Sequence, residues 1–186
     1  MEARPVRLRD GSTAVTRPIS PADAPCLTAG LRRLSPTGHA YRFLHYRTRF
    51  TEAELHYLTH CDFIDHLALV FAPTDAEGRE VDGVGVARCI RTKEDPETAE
   101  VAIVFVDEWQ RRGAGTVLLR HLAELALSRG IRRWKGFLLE DNQAALKLLA
   151  KVGKIVSTRR IGAGALEAVC ELNPSGAVIA PPIETH

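Results

Sequence analysis

The chain has four cysteines but no C-x-x-C pair. Cys26, Cys61, Cys89 and Cys170 lie far apart, each among apolar neighbours. They read as reduced, mostly buried side chains of a cytoplasmic protein, not as a disulfide frame. No apolar run is long enough to cross a bilayer, so nothing points to a membrane partner. Met1 to Asp10 has no apolar signal core, and export is not expected. Positive charge is not massed either. The net charge is +2, and the arginines fall in scattered pairs such as Arg32-Arg33 and Arg132-Arg133. Without a basic stripe or aromatics in series, nucleic-acid binding is disfavoured. H-E-x-x-H is absent. His56, His60, Cys61, Asp65 and His66 crowd one stretch, and His56 and His60 are one helical turn apart, but no second cysteine joins them. A polar helix face running into a loop is the preferred reading, with no metal expected.

What is present suits a single domain. The 186 residues are 45% hydrophobic and 26% charged, enough for a proper core. No internal repeat or linker divides the chain. A domain over residues 1–172 is expected, followed by an extended or disordered tail, 173–186, that carries three prolines.

The most telling segment is Gln110-Arg111-Arg112-Gly113-Ala114-Gly115. The apolar run Val101 to Val106 leads into it, and a helix-forming run, Thr116 to Arg129, leads out. A strand feeding a glycine turn that opens a helix can hold phosphate, because the first N–H groups of the helix lack internal partners and the dipole is positive there. A nucleotide P-loop needs lysine and then Ser or Thr after its last glycine, whereas Thr116 and Val117 follow Gly115. A dinucleotide fingerprint needs a third glycine, and Leu118 stands in its place. What remains is Q-x-x-G-x-G.

Around this turn the pattern predicts a mixed α/β chain. Ala14 to Ile19 reads as a strand. Ser20-Pro21-Ala22-Asp23, Ser35-Pro36 and Thr51-Glu52-Ala53-Glu54 read as helix starts, the last a capping box. Leu67 to Ala72, Gly83 to Arg91 and Glu100 to Val106 read as strands. Side-chain alternation puts Glu100, Ala102, Val104 and Val106 on one face and Val101, Ile103 and Phe105 on the other. Ile131 to Leu139 is the next strand. Asp141 or Asn142 caps a helix with Ala145, Leu149 and Val152 inward, ending at Gly153. Strands Ile155 to Arg159 and Leu166 to Leu172 flank Gly162-Ala163-Gly164.

The glycine turn, this element order, Glu100 at the start of the preceding strand, Glu140-Asp141-Asn142-Gln143-Ala144-Ala145 (similar to E-x-N-x-x-A) and Ala150-Lys151-Val152-Gly153 resemble the GNAT superfamily of N-acetyltransferases over roughly residues 10–172. The resemblance implies the GNAT fold, an α/β (α+β) architecture with a mixed central sheet of about six to seven strands flanked by helices. It implies acetyl-CoA as co-substrate. Backbone groups of Val104, Phe105 and Val106 would hold the pantetheine arm, and the amides of Arg111, Arg112, Gly113, Ala114, Gly115 and Thr116 the pyrophosphate. Asn142 resembles the family's cofactor-contacting asparagine, a helix cap being the competing role. Glu100 stands where histone-type members place a general base. Such a base is needed because an amine is protonated at neutral pH and must lose a proton before attack. A surface glutamate paired with a nearby arginine is the plainer alternative.

Two departures stand out. Many GNAT enzymes protonate the leaving thiolate with a tyrosine whose place, counted from Asn142, is Leu149, and no tyrosine follows Tyr57. Lys154 stands where an aromatic residue is usual.

Arg33-Leu34-Ser35-Pro36, Tyr41-Arg42-Phe43-Leu44, the helix from Thr51 and Asp65-His66-Leu67-Ala68-Leu69-Val70 resemble the subgroup that includes the acetyltransferase domain of bacterial protein lysine acetyltransferases. This implies a protein lysine side chain as acceptor, with a small amine or amino acid as the alternative. The acidic stretch Glu94, Asp95 and Glu97 could attract such a cation. A non-catalytic acyl-CoA-binding regulator is the reading from another class. A monomer or a homodimer is expected.

Overall fold

A computed structural model describes residues 1–43 and 49–173. Leu44 of the Tyr41–Leu44 segment and the tail from position 174 lie outside the described residues.

Local sequence signals set the helix boundaries. Thr51 and Glu54 form the reciprocal box at the start of α3 (Glu52–Thr59). Thr51 Oγ1 accepts from the Glu54 amide at 3.2 Å, and Glu54 Oε2 accepts from the Thr51 amide at 2.8 Å. The Ser20-Pro21 start behaves differently. It opens a single 3₁₀ turn, Pro21–Asp23, and α1 follows only at Ala24–Arg32. Pro25 has no N–H to donate back to Pro21, so an α ladder cannot begin at the serine cap. The remaining helices are α2 (Pro36–Phe43), α4 (Ala114–Ser128) and α5 (Gln143–Leu149).

Among the described residues, eight strands make one sheet: β1 (Arg4–Arg7), β2 (Thr13–Pro18), β3 (His66–Pro73), β4 (Gly85–Arg91), β5 (Thr98–Phe105), β6 (Arg133–Leu139), β7 (Gly153–Gly162) and β8 (Ala165–Leu172). Their order is β1-β2-β3-β4-β5-β6-β8-β7. The sheet has one strand more than the upper end of the expected range. The addition, β1, offers a single buried side chain, Val6, between arginines, too short a pattern to read as a strand before its pairing with β2 is seen.

Both sheet faces are covered. Leu67, Leu69, Phe71, Cys89, Ala99 and Trp134 pack with Leu118, Leu119, Leu122 and Ala126 of α4. On the opposite face, Ala68, Val70 and Ala72 pack with Ile19 and Leu27. Every residue of β3 is buried, which explains its continuous apolar run. Trimming Leu118 or Leu122, both 0% exposed, to alanine would cost about 2–5 kcal/mol. No helix among the described residues is long and apolar enough to cross a membrane.

The feature that creates the site is the one parallel pair among the described residues. β5 and β6 are in register only from Thr98↔Arg133 to Val101↔Gly136. Beyond that point β5 stays with β4 as far as Phe105, and β6 stays with β8 as far as Leu139. The two strands part and leave a wedge in the sheet.

Candidate active site

The glycine turn sits at the open end of this wedge. After β5 the chain makes a 3₁₀ turn, Asp107–Trp109, and passes through Arg111 at φ 59° to Gly113 at φ 89°, the N-cap of α4. A Cβ on Gly113 would meet nothing within 4 Å, so this glycine answers a backbone requirement and not a crowded one. The Thr116 and Val117 amides both turn to the Gly113 carbonyl, at 3.1 and 3.3 Å. The Ala114 and Gly115 amides precede them at the helix end, where no intrahelical acceptor exists. These donors and the dipole of a 15-residue helix can hold a phosphate group.

Side chains brace the turn from outside. Gln110 Nε2 donates to the Phe105 carbonyl and to Asp107 Oδ1, each at 3.1 Å. The Arg112 guanidinium stacks 4.1 Å from the Trp109 ring centroid and bonds Asp10 at 2.7 Å. The Ser12 hydroxyl and amide, with Arg112, bring the Asp10 carboxyl down to about 2. The charge of Arg112 is thus committed to the N-terminal loop, leaving its backbone as the part that can serve a ligand.

Below the turn lies a cleft of about 400 Å³. Its walls are β5 from Val101 to Phe105, β6 from Gly136 to Leu138, the start of α4, and Asn142, Ala145 and Leu148 around α5. Ser35, Thr37, Gly38, Tyr41 and Arg42 close it from α2 and the residue before it. Seven of the expected cofactor-binding residues line it: Val104, Phe105, Arg111, Gly113, Gly115, Thr116 and Asn142. Val106, Arg112 and Ala114 do not. The Val106 amide donates to the Val84 carbonyl at 2.9 Å and its side chain is buried, so its donor is already used. That bond also sets the polarity of β5. Val106, Val104 and Ala102 turn their backbone groups toward β4, and Phe105 and Ile103 turn theirs into the wedge. Since Gln110 takes the Phe105 carbonyl, Ile103 holds the open donor and acceptor of this edge, a position the alternation of side chains did not single out. The Phe105 ring faces the core, edge-on to Phe71 at 5.5 Å. Asn142 is 7% exposed; its Oδ1 accepts from the Ala145 amide at 3.1 Å, capping α5, and the residue lines the cleft.

Glu100 lies on the sheet face opposite α4, exposed, in register with Ile90 of β4 and Lys135 of β6. Ala102, the next residue on that face, lines the cleft, whereas Glu100 stands just beyond its closed end. The acidic loop is largely neutralised within the chain. Asp95 accepts from the Thr98 hydroxyl at 2.6 Å and from Arg133 at 2.9 Å, and Glu97 lies 3.5 Å from Arg132 and 3.6 Å from Arg133. Leu149 is 4% exposed and packs toward Gly136, so no hydroxyl stands at that place. Lys154 is exposed on β7.

The histidine-rich stretch divides between an exposed helix face, with His56 and His60, and a buried strand position, His66. His56 and His60 stack at 3.7 Å, and His66, 8% exposed, receives Arg88 Nη1 on Nε2 at 3.0 Å. Among the described residues no three His, Cys, Asp or Glu side chains gather to hold a metal ion. None of the four cysteines is paired; Cys89 and Cys170 are buried, and Cys26 and Cys61 are half-buried.

Comparison with known proteins agrees with this architecture. The model of the acetyltransferase (GNAT) family matches residues 39–153. Acetyltransferase Pat of Mycolicibacterium smegmatis is 31% identical over 151 residues, covering 81% of this chain and 44% of that protein. The chain therefore spans less than half the length of that relative. An acetyltransferase of Pseudomonas aeruginosa is 30% identical over 147 residues, covering 78% of this chain and 77% of the relative. The crystal structure of the GNAT domain of S. lividans PAT superposes with a TM-score of 0.78 at 31% identity, covering 91% of this chain and 97% of that domain. A parted parallel strand pair, a glycine turn at its mouth and these matches lead to one conclusion: the chain belongs to the GNAT acetyltransferase family.

Proposed function

We propose that this chain transfers the acetyl group of acetyl-CoA to the side-chain amine of a protein lysine, by direct attack, with Glu100 as general base. The observation that carries the reading is the layout of the wedge. Free helix-terminal amides stand at its mouth, an unpaired strand edge runs along its wall, and a carboxylate stands beyond its closed end.

Each part meets one demand of the reaction. The amides of Gly113, Ala114 and Gly115 would hold the pyrophosphate, and the Ile103 backbone would pair with the amides of the pantetheine arm as an added strand does. The acceptor arrives as an ammonium ion. At pH 7 a lysine with pKa ~10.4 costs about 4–5 kcal/mol to deprotonate, and Glu100, directly or through a water, would accept that proton. The neutral nitrogen then attacks the thioester carbonyl, whose oxyanion needs a backbone donor from β5. The C–S bond breaks and the thiolate departs. A thiol with a pKa of about 8.5 is a far better leaving group than an amine, so leucine at 149 is compatible with turnover.

The resemblance of the segments between positions 33 and 70 to protein lysine acetyltransferases supports a lysine acceptor. Incubating the chain with acetyl-CoA and either lysine-bearing proteins or free amines, and counting both thiol released and acetyl incorporated, tests it. Acetyl-lysine on protein is the expected product. Thiol release with free amines alone would overturn the protein acceptor, and binding without release from any acceptor would overturn catalysis.

A further inference from the structure

The chain contains five lysines, Lys93, Lys135, Lys147, Lys151 and Lys154, against twenty arginines. Four of the lysines are exposed, and Lys135 alone is half-buried. It is also the one beside the proposed base. In the short parallel stretch, Lys135 of β6 is the register partner of Glu100 of β5, one step from Val101↔Gly136, where the strands begin to part. Register partners on neighbouring strands share a face and lie about 5 Å apart along the hydrogen-bonding direction. The next residues on that face, Ala102 and Phe137, line the cleft. An amine on a long unbranched stem therefore starts next to Glu100, at the closed end of the wedge. No salt bridge joins Lys135 to Glu100.

We propose that Lys135 is an internal acetyl acceptor, modified by the chain's own acetyl-CoA chemistry. This rests on the reading of Glu100 and the wedge given above. Glu100 takes a proton from the Lys135 ammonium. The neutral Nζ attacks the thioester carbonyl, the C–N bond forms, and the C–S bond breaks with its electron pair going to sulfur. The products are Nε-acetyl-Lys135, coenzyme A as free thiol, and a proton. No oxidant or further reactant is needed. The modification removes a positive charge beside Glu100, the proposed base that a cationic acceptor must approach.

The test is a time course of intact mass and peptide mapping on the full chain with acetyl-CoA alone. One acetyl group on Lys135 is expected. Its rate should saturate with acetyl-CoA and, per chain, be independent of chain concentration. It should be absent in Lys135→Arg, which keeps the stem and charge, and at least about tenfold slower in Glu100→Gln. Equal labelling of the four exposed lysines, or Lys135 labelling that rises linearly with acetyl-CoA and ignores Glu100→Gln, would overturn the proposal. Acetyl transfer to added proteins is measured in parallel. Transfer to them without labelling of Lys135 sinks this inference alone, and no transfer to anything sinks the reading beneath it.

Discussion

Gln110 reaches back to the strand that the turn has just left, its Nε2 donating to the carbonyl of Phe105 at 3.1 Å. The same nitrogen donates to Asp107 Oδ1 at 3.1 Å, and Asp107 Oδ2 accepts from the Ser35 amide at 3.3 Å. One side chain thus ties the end of β5, the glycine turn and the approach to α2 together, which gives the glutamine of Q-x-x-G-x-G a structural reason. Gln110→Ala should lower stability by about 1–2 kcal/mol in urea denaturation, because a part-buried carbonyl loses its donor. Gln110→Glu should be worse, since it places a carboxylate against a carbonyl and against Asp107. Both variants should raise KM for acetyl-CoA more than they lower kcat.

The two glycines of the turn have separable roles. Gly113 at φ 89° has open space around it, so Gly113→Ala should cost about 1–2 kcal/mol through backbone strain alone. A Cβ on Gly115 would meet Leu148 and Ile103 at ordinary contact distances of 3.6 and 3.7 Å. Gly115→Ala should therefore fold, with stability unchanged or raised by up to about 1 kcal/mol from helix propensity. If a phosphate approaches this backbone closely, the same variant should lose acetyl-CoA affinity by at least tenfold in calorimetric titration. Unaltered affinity would place the ligand elsewhere.

Stability should fall on the acid side of neutrality. Arg88 is 5% exposed and only donates, so the His66 nitrogen it meets at 3.0 Å must be an acceptor and the ring neutral. Burial, and then the Arg88 charge, hold the His66 pKa below its ordinary value. Burial, and then Arg4, do the same for His121, whose Nδ1 lies 2.6 Å from the Thr16 hydroxyl. The unfolded chain takes up protons first, from about pH 6.5 downward. The stabilisation is thus fully present above that pH and is lost as pH falls toward the folded-state values. Urea midpoints should drop between pH 7.5 and pH 5.5, and His66→Gln, which keeps an acceptor for Arg88, should flatten part of that slope. A flat wild-type profile would contradict the assignment.

Much of this architecture is legible in local sequence. The helix after Gly115, the box at Thr51 and the buried run of β3 are local patterns, and local patterns survive translation into structure. The rest depended on contacts between distant segments. β1 exists because β2 offers an edge, which Arg4–Arg7 cannot announce. α1 starts late because Pro25 interrupts a ladder that Ser20 would otherwise cap. The donor of Val106 is consumed by Val84, so a backbone group that suits a ligand by its position in the chain is spent on the fold, whereas Arg112 gives only its side chain to Asp10. Ile103 comes forward for the converse reason: its backbone is free only because β6 turns away after Gly136.

The most direct test of the account is Glu100→Gln, with acetyl-CoA binding and acetyl transfer to a protein lysine measured on the same preparation. Glu100 is exposed and lies outside the cleft lining, so the variant should fold and bind acetyl-CoA as the native chain does. Transfer at pH 7 should fall by about 10²–10⁴-fold, the usual contribution of a positioned general base. Full transfer activity in Glu100→Gln would contradict the central claim.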